Sequence, residues 1–379
     1  MARKDHISAL DGLRAVAALL IVWVHIPQGV LWGWMDRVSR GLPLGYLGVD
    51  IFFVLSGFLI TRILLVDRQQ GTPVAYFLMR RFLRIFPIYY LTIVVLAIVD
   101  PQPALAWCAA YLSNFYFAIH HDHHPLRHTW SLAVEEHYYL VWPFVVYLLS
   151  VRHSRAFLAW GVLPLAVVGA VGLIVLDHPS LPAEPLIYRG SMFRAFSLGL
   201  GALCAYHEDR LRDRSWLAVA LASCSLIVGC LGVYVIHDGM LFRWHSLIRM
   251  VSYAMFSVAV VGITIMQSHS RFPLLTVLRS GPMRFVGRIS YGLYLYHFPI
   301  YHVFGLVGQG GDGTANAPAV VLAVATTFGV ATTSYFAIEK PLLKLKDRYR
   351  SNVKGDTIDG LPPRVERFSP ARAVTLKTG

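Results

Sequence analysis

Residues 45–65, Gly45-Tyr46-Leu47-Gly48-Val49-Asp50-Ile51-Phe52-Phe53-Val54-Leu55-Ser56-Gly57-Phe58-Leu59-Ile60-Thr61-Arg62-Ile63-Leu64-Leu65, hold a single acid and a single base in an otherwise apolar run. At about 1.5 Å per residue such a helix is roughly 30 Å long, the thickness of a bilayer's hydrocarbon core. Runs of this kind recur from end to end. The 379 residues are 56% hydrophobic and 15% charged, with a mean hydropathy of +0.55, whereas charged residues make up roughly a quarter of a soluble domain. The balance excludes a soluble, collagen-like or disordered chain. The cysteines, Cys108, Cys204, Cys224 and Cys230, sit singly in apolar segments without metal-ligand spacing, so they read as packing residues.

The formal net charge of +13 raises the question of nucleic acid, and its distribution answers it. Basic residues are dispersed among short loops and alternate from loop to loop, as expected when Lys and Arg stay on the cytoplasmic side of a membrane. No nucleic-acid partner is needed to explain them.

Outward from residues 45–65, the hydropathy and charge pattern predicts an all-α polytopic membrane protein with about ten transmembrane helices and both termini cytoplasmic. The spans fall at about 7–26, 45–65, 85–99, 131–149, 156–176, 190–206, 216–236, 246–266, 285–307 and 317–338. The first span has no small-residue cleavage site after it and reads as uncleaved. Arg62, Arg68, Arg80, Arg81 and Arg84 mark a cytoplasmic loop. Residues 104–119 are short and hold Asn114; a full crossing there would leave Arg152 and Arg155 outside, so one extra re-entrant or interfacial helix is expected. Residues 1–340 form the transmembrane domain, and 341–379 a basic, largely disordered cytoplasmic tail.

Ionisable groups inside spans are costly and need a reason. Arg14 and His25 lie within about 20° of one helix face and ~16 Å apart along it; snorkelling to the two interfaces explains them equally well. Ser131, Glu135 and Tyr139 share a face by steps of four, with Glu136 turned about 100° away. Ser131 as a helix cap and acids in the first turn are the bland alternative. Arg80, Arg81 and Arg84 satisfy the charge rule and also suit bidentate binding of phosphates. Asp50 lies near the outer end of its span, and Ser290-Tyr291-Gly292-Leu293-Tyr294-Leu295-Tyr296-His297 puts hydroxyls and an imidazole in a late one. His120, His121, His123, His124 and His128 crowd a loop without a fixed acid or cysteine partner, so no metal is predicted.

Taken together, Leu10-Asp11-Gly12-Leu13-Arg14 with His25, the string 48–58, Arg81-x-x-Arg84, Ser131-Leu132-Ala133-Val134-Glu135-Glu136 and the string 290–297 resemble the acyltransferase family 3 membrane enzymes over about residues 1–340. These bacterial proteins include acetyltransferases of O-antigen and Nod factors and acyltransferases of macrolides. The resemblance implies transfer of an acyl group, usually acetyl from acetyl-CoA, to a carbohydrate hydroxyl in the cytoplasmic membrane. Its Arg-x10-His motif maps to Arg14 and His25, its Arg-x-x-Arg motif to Arg81 and Arg84, and its Ser-x3-Glu-x3-Tyr motif to Ser131, Glu135 and Tyr139. Many relatives carry a C-terminal soluble esterase-like domain, and none is expected within the tail 341–379.

On that resemblance, Arg81 and Arg84 hold the CoA phosphates, Arg14 lines the path of the pantetheine arm, and the thioester lies near His25. His25 serves as general base or as a transient acyl carrier. Glu135 orients it or binds the acceptor, with Ser131, Tyr139 and Asp50 in support. The acceptor is a cell-surface or lipid-linked glycan, or alternatively a small glycosylated metabolite such as a macrolide. A non-enzymatic transporter using Arg14, His25, Asp50 and Glu135 as a relay is the competing reading.

Overall fold

The computed structural model describes residues 6–27, 44–120, 123–176, 182–213, 216–238, 244–268, 270, 272–307 and 317–345. Among these residues the fold is all-helical, without strands. The helices are α1 (Ser8–Val24), α2 (Leu44–Gln69), α3 (Val74–Val99), α4 (Ala104–Ala109), α5 (Ser113–Ile119) and α6 (Trp130–Leu148). They continue with α7 (Val151–Leu176), α8 (Ala183–Arg189), α9 (Ser191–Tyr206), α10 (Glu208–Arg212), α11 (Trp216–Asp238), α12 (His245–Met266), α13 (Pro273–Leu278), α14 (Gly281–Val303) and α15 (Ala317–Leu345).

Five of these are long and apolar enough to cross a bilayer: α2 from Gly45, α3, α7, α12 and α15. Large apolar side chains such as Leu91, Val95, Ile98, Trp160, Val168 and Leu322 stand exposed along α3, α7 and α15. Such surface is costly in water and neutral against lipid, so the chain is a multi-pass membrane protein. α1, α6 and α14 fall short of the same measure. They are the helices that carry Arg14, the pair Glu135 and Glu136, and Arg284 and Arg288.

α2 is the centre of the bundle. It crosses α9 at closest approach, where a Cβ on Gly57 would meet the Leu198 carbonyl and one on Gly201 the Val54 carbonyl. Only hydrogens at these two positions let the backbones touch, a usual device in membrane bundles where van der Waals packing drives association. Just beyond, Arg194 of α9 donates to Asp50 Oδ2 of α2 at 2.7 Å, and Ser197 to Asp50 Oδ1 at 2.5 Å, all fully buried. The guanidinium is enclosed by the rings of Phe53, Tyr188 and Trp130 at 5.1, 5.3 and 6.0 Å. The Asp50 carboxylate survives in this position because a cation and a donor to each of its oxygens are supplied.

Several sequence expectations need correction. The arginine-rich loop is not a loop: α2 runs to Gln69 and α3 starts after Pro73, so Arg62 and Arg68 lie on α2 and Arg80, Arg81 and Arg84 on α3. Apolar runs underestimate a helix whose end emerges into the headgroups, since Arg, Leu and Met are good helix formers. Residues 104–119 form two short helices. Tyr111 breaks them with φ at 56°, an uncommon conformation for a bulky residue. Its ring stacks on Tyr89 at 4.6 Å, and Tyr89 and Tyr90 donate to the Cys108 and Ala109 carbonyls at 2.9 and 2.8 Å. The Tyr90 hydroxyl thus serves a carbonyl at the end of α4, and the Tyr89 hydroxyl adds a second donor to the Cys108 carbonyl, which also accepts the Tyr111 N–H at 2.9 Å. Ser131 is not a cap; Thr129 precedes α6, and Ser131 lies inside the first turn. The last described helix, α15, ends at Leu345. The remaining tail, 346–379, and the loop 308–316 lie outside the described residues.

Candidate active site

One face of α2 sets the site. Val49, Phe52, Phe53, Ser56, Leu59, Ile60 and Ile63 recur at helical spacing and line a cavity of about 260 Å³. α1 contributes Asp11, Arg14 and Ile21, α3 contributes Arg81 and Arg84, α6 contributes Ser131, Glu135 and Tyr139, and α14 contributes Ser290, Tyr291 and Tyr294. Arg14, Arg81, Arg84, Ser131, Glu135 and Tyr139, scattered over about 125 residues of sequence, therefore meet in one space.

The cavity has a basic end and a hydroxyl-rich end. Among the described residues Arg14, Arg81 and Arg84 make no ion pair within 4 Å, while Asp11 is already engaged with His6 at 3.1 Å. The Arg81 guanidinium lies over the rings of Tyr139 and Phe77 at 5.3 and 5.5 Å. It and Arg14 act electrostatically on Glu135. Glu136 also acts electrostatically on Arg81, and Arg84 and Arg14 act on the buried Glu339, but no carboxylate among the described residues is within 4 Å of the three planar cations, whose forks are left to suit a phosphate-bearing ligand.

The hydroxyl protons can be assigned from their partners. Tyr139 donates to Glu135 Oε2 at 3.0 Å, so Ser56 Oγ, 2.5 Å away, donates to the Tyr139 oxygen. Tyr294 donates to the His128 carbonyl at 2.6 Å, so Ser131 Oγ donates to the Tyr294 oxygen, also at 2.6 Å. Ser131 thus has its proton committed and its lone pairs free toward the cavity.

His25 and Asp50 are not among the lining residues. Asp50 is closed off in its pairing with Arg194. His25 lies one helical turn beyond Ile21, at the end of α1, half-buried and with Nδ1 2.8 Å from the Ile21 carbonyl. Glu135 and His25 are not brought into contact. What His25 meets is the end of α14, where His297 and Phe298 each lie 5.0 Å from its ring.

Sequence reasoning passed over Ser56 and undervalued His128. Ser56 was visible as the one polar residue on the 49–63 stripe. His128 sits in the histidine-rich loop, yet it is buried, donates Nε2–H to the Leu295 carbonyl at 3.2 Å and lies 4.9 Å from the His297 ring. Among the described residues no three His, Cys, Asp or Glu side chains gather as a metal-binding group.

Comparison with known proteins places this arrangement. The family model described as an acyltransferase domain, that of acyltransferase family 3, matches residues 7–336. OatA of Listeria monocytogenes, named a peptidoglycan O-acetyltransferase, is 30% identical over 374 residues, covering 90% of this chain and 56% of its own length. YrhL of Bacillus subtilis is 31% identical over 370 residues, covering 89% of this chain and 55% of its own. The chain thus spans little more than half the length of these relatives. No solved structure matches it. The motifs, the helical bundle and the match across residues 7–336 agree, and the chain belongs to acyltransferase family 3.

Proposed function

We propose that the protein is an integral membrane O-acyltransferase that moves acetyl from cytoplasmic acetyl-CoA to a hydroxyl of a cell-wall or lipid-linked glycan. The observation that carries this reading is the cavity that joins Arg14, Arg81 and Arg84 to Ser131, Glu135 and Tyr139. In this reading the chain crosses the cytoplasmic membrane about ten times with both termini inside, and residues 1–340 are the catalytic domain. The glycan acceptor is supported by the relative from Listeria, which is named for peptidoglycan.

Arg81 and Arg84 grip the CoA phosphates at the inner face, and Arg14 lines the way for the pantetheine arm. Glu135 offsets the charge of Arg14 and Arg81, so that the site holds its anion without locking it in place. Tyr139 and Ser56 fix that carboxylate. The arm passes Ile21 and Tyr294 to bring the thioester to His25, and the acceptor approaches from the other side. His25 takes the proton of the acceptor hydroxyl as general base. The oxygen attacks the thioester carbonyl, the carbon–sulfur bond breaks, and the thiolate leaves with the proton returned by the imidazolium. Asp50 serves the site at a distance, by fixing α9 to α2.

Transfer of labelled acetyl from acetyl-CoA to isolated cell-wall glycan by the purified protein in detergent tests the reading. Wild type should transfer and His25→Ala should not. Full activity in a folded His25→Ala protein would remove the base from the scheme.

A further inference from the structure

His25 has a partner that determines which of its nitrogens can react. Nδ1 of His297 lies 2.7 Å from the Tyr294 carbonyl and 3.2 Å from that of Leu293. A carbonyl only accepts, so this nitrogen carries hydrogen and Nε2 of the neutral ring is a bare lone pair. That lone pair lies 3.2 Å from Nδ1 of His25. His25 Nδ1 is also 2.8 Å from the Ile21 carbonyl, so it too carries hydrogen, shared between the carbonyl and His297. Nε2 of His25 is left unprotonated and without a partner among the described residues.

The surroundings do not compete for this contact. His128 spends its Nε2–H on the Leu295 carbonyl. Tyr301 lies 6.0 Å from the His297 ring and directs its hydroxyl to the Val22 carbonyl at 3.4 Å. Tyr294 donates to His128, Phe298 packs edge-on against His25, and Arg127 is the cation that acts on His25 electrostatically. Two helices whose backbone carbonyls fix both tautomers therefore meet through one imidazole pair.

We infer that His297 is a positioning residue for acyl transfer: it accepts Nδ1–H of His25, holds the ring so that Nε2 is the nitrogen offered to the acceptor hydroxyl, and steadies the imidazolium once that nitrogen has taken the proton. The role rests on His25 being the base. It parallels the way a ring's second nitrogen is held in other imidazole bases, with a neutral lone pair in place of a carboxylate. No net charge is placed in the apolar interior before reaction, which a carboxylate partner would require.

The test uses the full chain in detergent, with labelled acetyl-CoA and isolated cell-wall glycan. His297→Leu removes the acceptor and should lower kcat on the order of 10-fold to 100-fold, the range expected for losing one hydrogen bond to a charged group, with the KM for acetyl-CoA within about twofold. His297→Gln keeps an oxygen that accepts at the same place and should restore most of kcat. Unchanged kcat in His297→Leu, or equal loss in both variants when both melt as wild type does, would overturn the inference. Ring nitrogen-15 spectra of the unaltered protein, with His25 identified by its absence in His25→Gln, give a reading that needs no folded His297 variant: Nδ1 protonated and Nε2 bare is expected, and the opposite tautomer overturns it. An active His25→Ala protein would fail the proposed function; a dead one beside a fully active His297→Leu would fail only this role.

Discussion

Tyr139 and Glu135 face each other across one turn of α6, the phenol donating to the carboxylate at 3.0 Å while Ser56 of the neighbouring helix closes on the same phenol at 2.5 Å. The acid is held by a hydrogen bond and by nearby guanidiniums, but not by a direct ion pair. Tyr139→Phe removes the donor and leaves the ring under Arg81. Acetyl transfer should fall about 10-fold or more, as expected for a hydrogen bond to a charged group, with the melting temperature in detergent little changed. Transfer rates and thermal melts of the purified variant check this.

Arg81 and Arg84 should act through geometry as well as charge. Lys keeps the charge but loses the planar fork that holds phosphate bidentately. Arg81→Lys and Arg84→Lys should each raise the KM for acetyl-CoA about 10-fold while kcat at saturation stays within a few-fold. The same loss with acetyl-pantetheine, which lacks the nucleotide phosphates, would assign these arginines elsewhere.

The buried pair Asp50 and Arg194 is a stability element. Removing either partner leaves an uncompensated charge and should cost about 3–5 kcal/mol. Asp50→Leu with Arg194→Met, having no charge to strand, should cost clearly less than the sum of the single changes. A double-mutant cycle by thermal or denaturant unfolding in detergent measures the difference; strict additivity would mean that the pair is not coupled.

The proposed orientation puts the turn between α2 and α3 inside and the turn after α3 outside. In a cysteine-free background, Pro101→Cys should react with a membrane-impermeant thiol reagent in intact cells. Gln70→Cys should react only after the membrane is opened. The reverse pattern inverts the topology.

Much of this was legible in the sequence because a bilayer imposes simple constraints. Apolar length gave the helical class, and ionisable residues inside spans pointed to Arg14, Glu135 and Tyr139, which do share one cavity. Charge singled out Arg81 and Arg84, which line the cavity, but put them on the wrong element, because hydropathy registers only the lipid-facing part of a helix. The break at Tyr111 depends on a ring stacked on Tyr89 and on hydroxyls reaching two carbonyls, contacts between residues about twenty apart. Asp50 read as a site residue because its partner, Arg194, lies 144 positions away. Likewise the separation of His25 from Glu135 depends on how α1 and α14 end together, which no local pattern encodes.

The close approach of α2 and α9 at Gly57 and Gly201 has a mechanical meaning. With no side chain between them, α2 and α9 behave as a seam without slack, and the wall bearing Ser56 has nowhere to retreat. On the proposed function, a bulky nucleotide would be admitted on the opposite flank, where α3, with much of its length turned outward, carries the two arginines as cladding rather than as part of the frame.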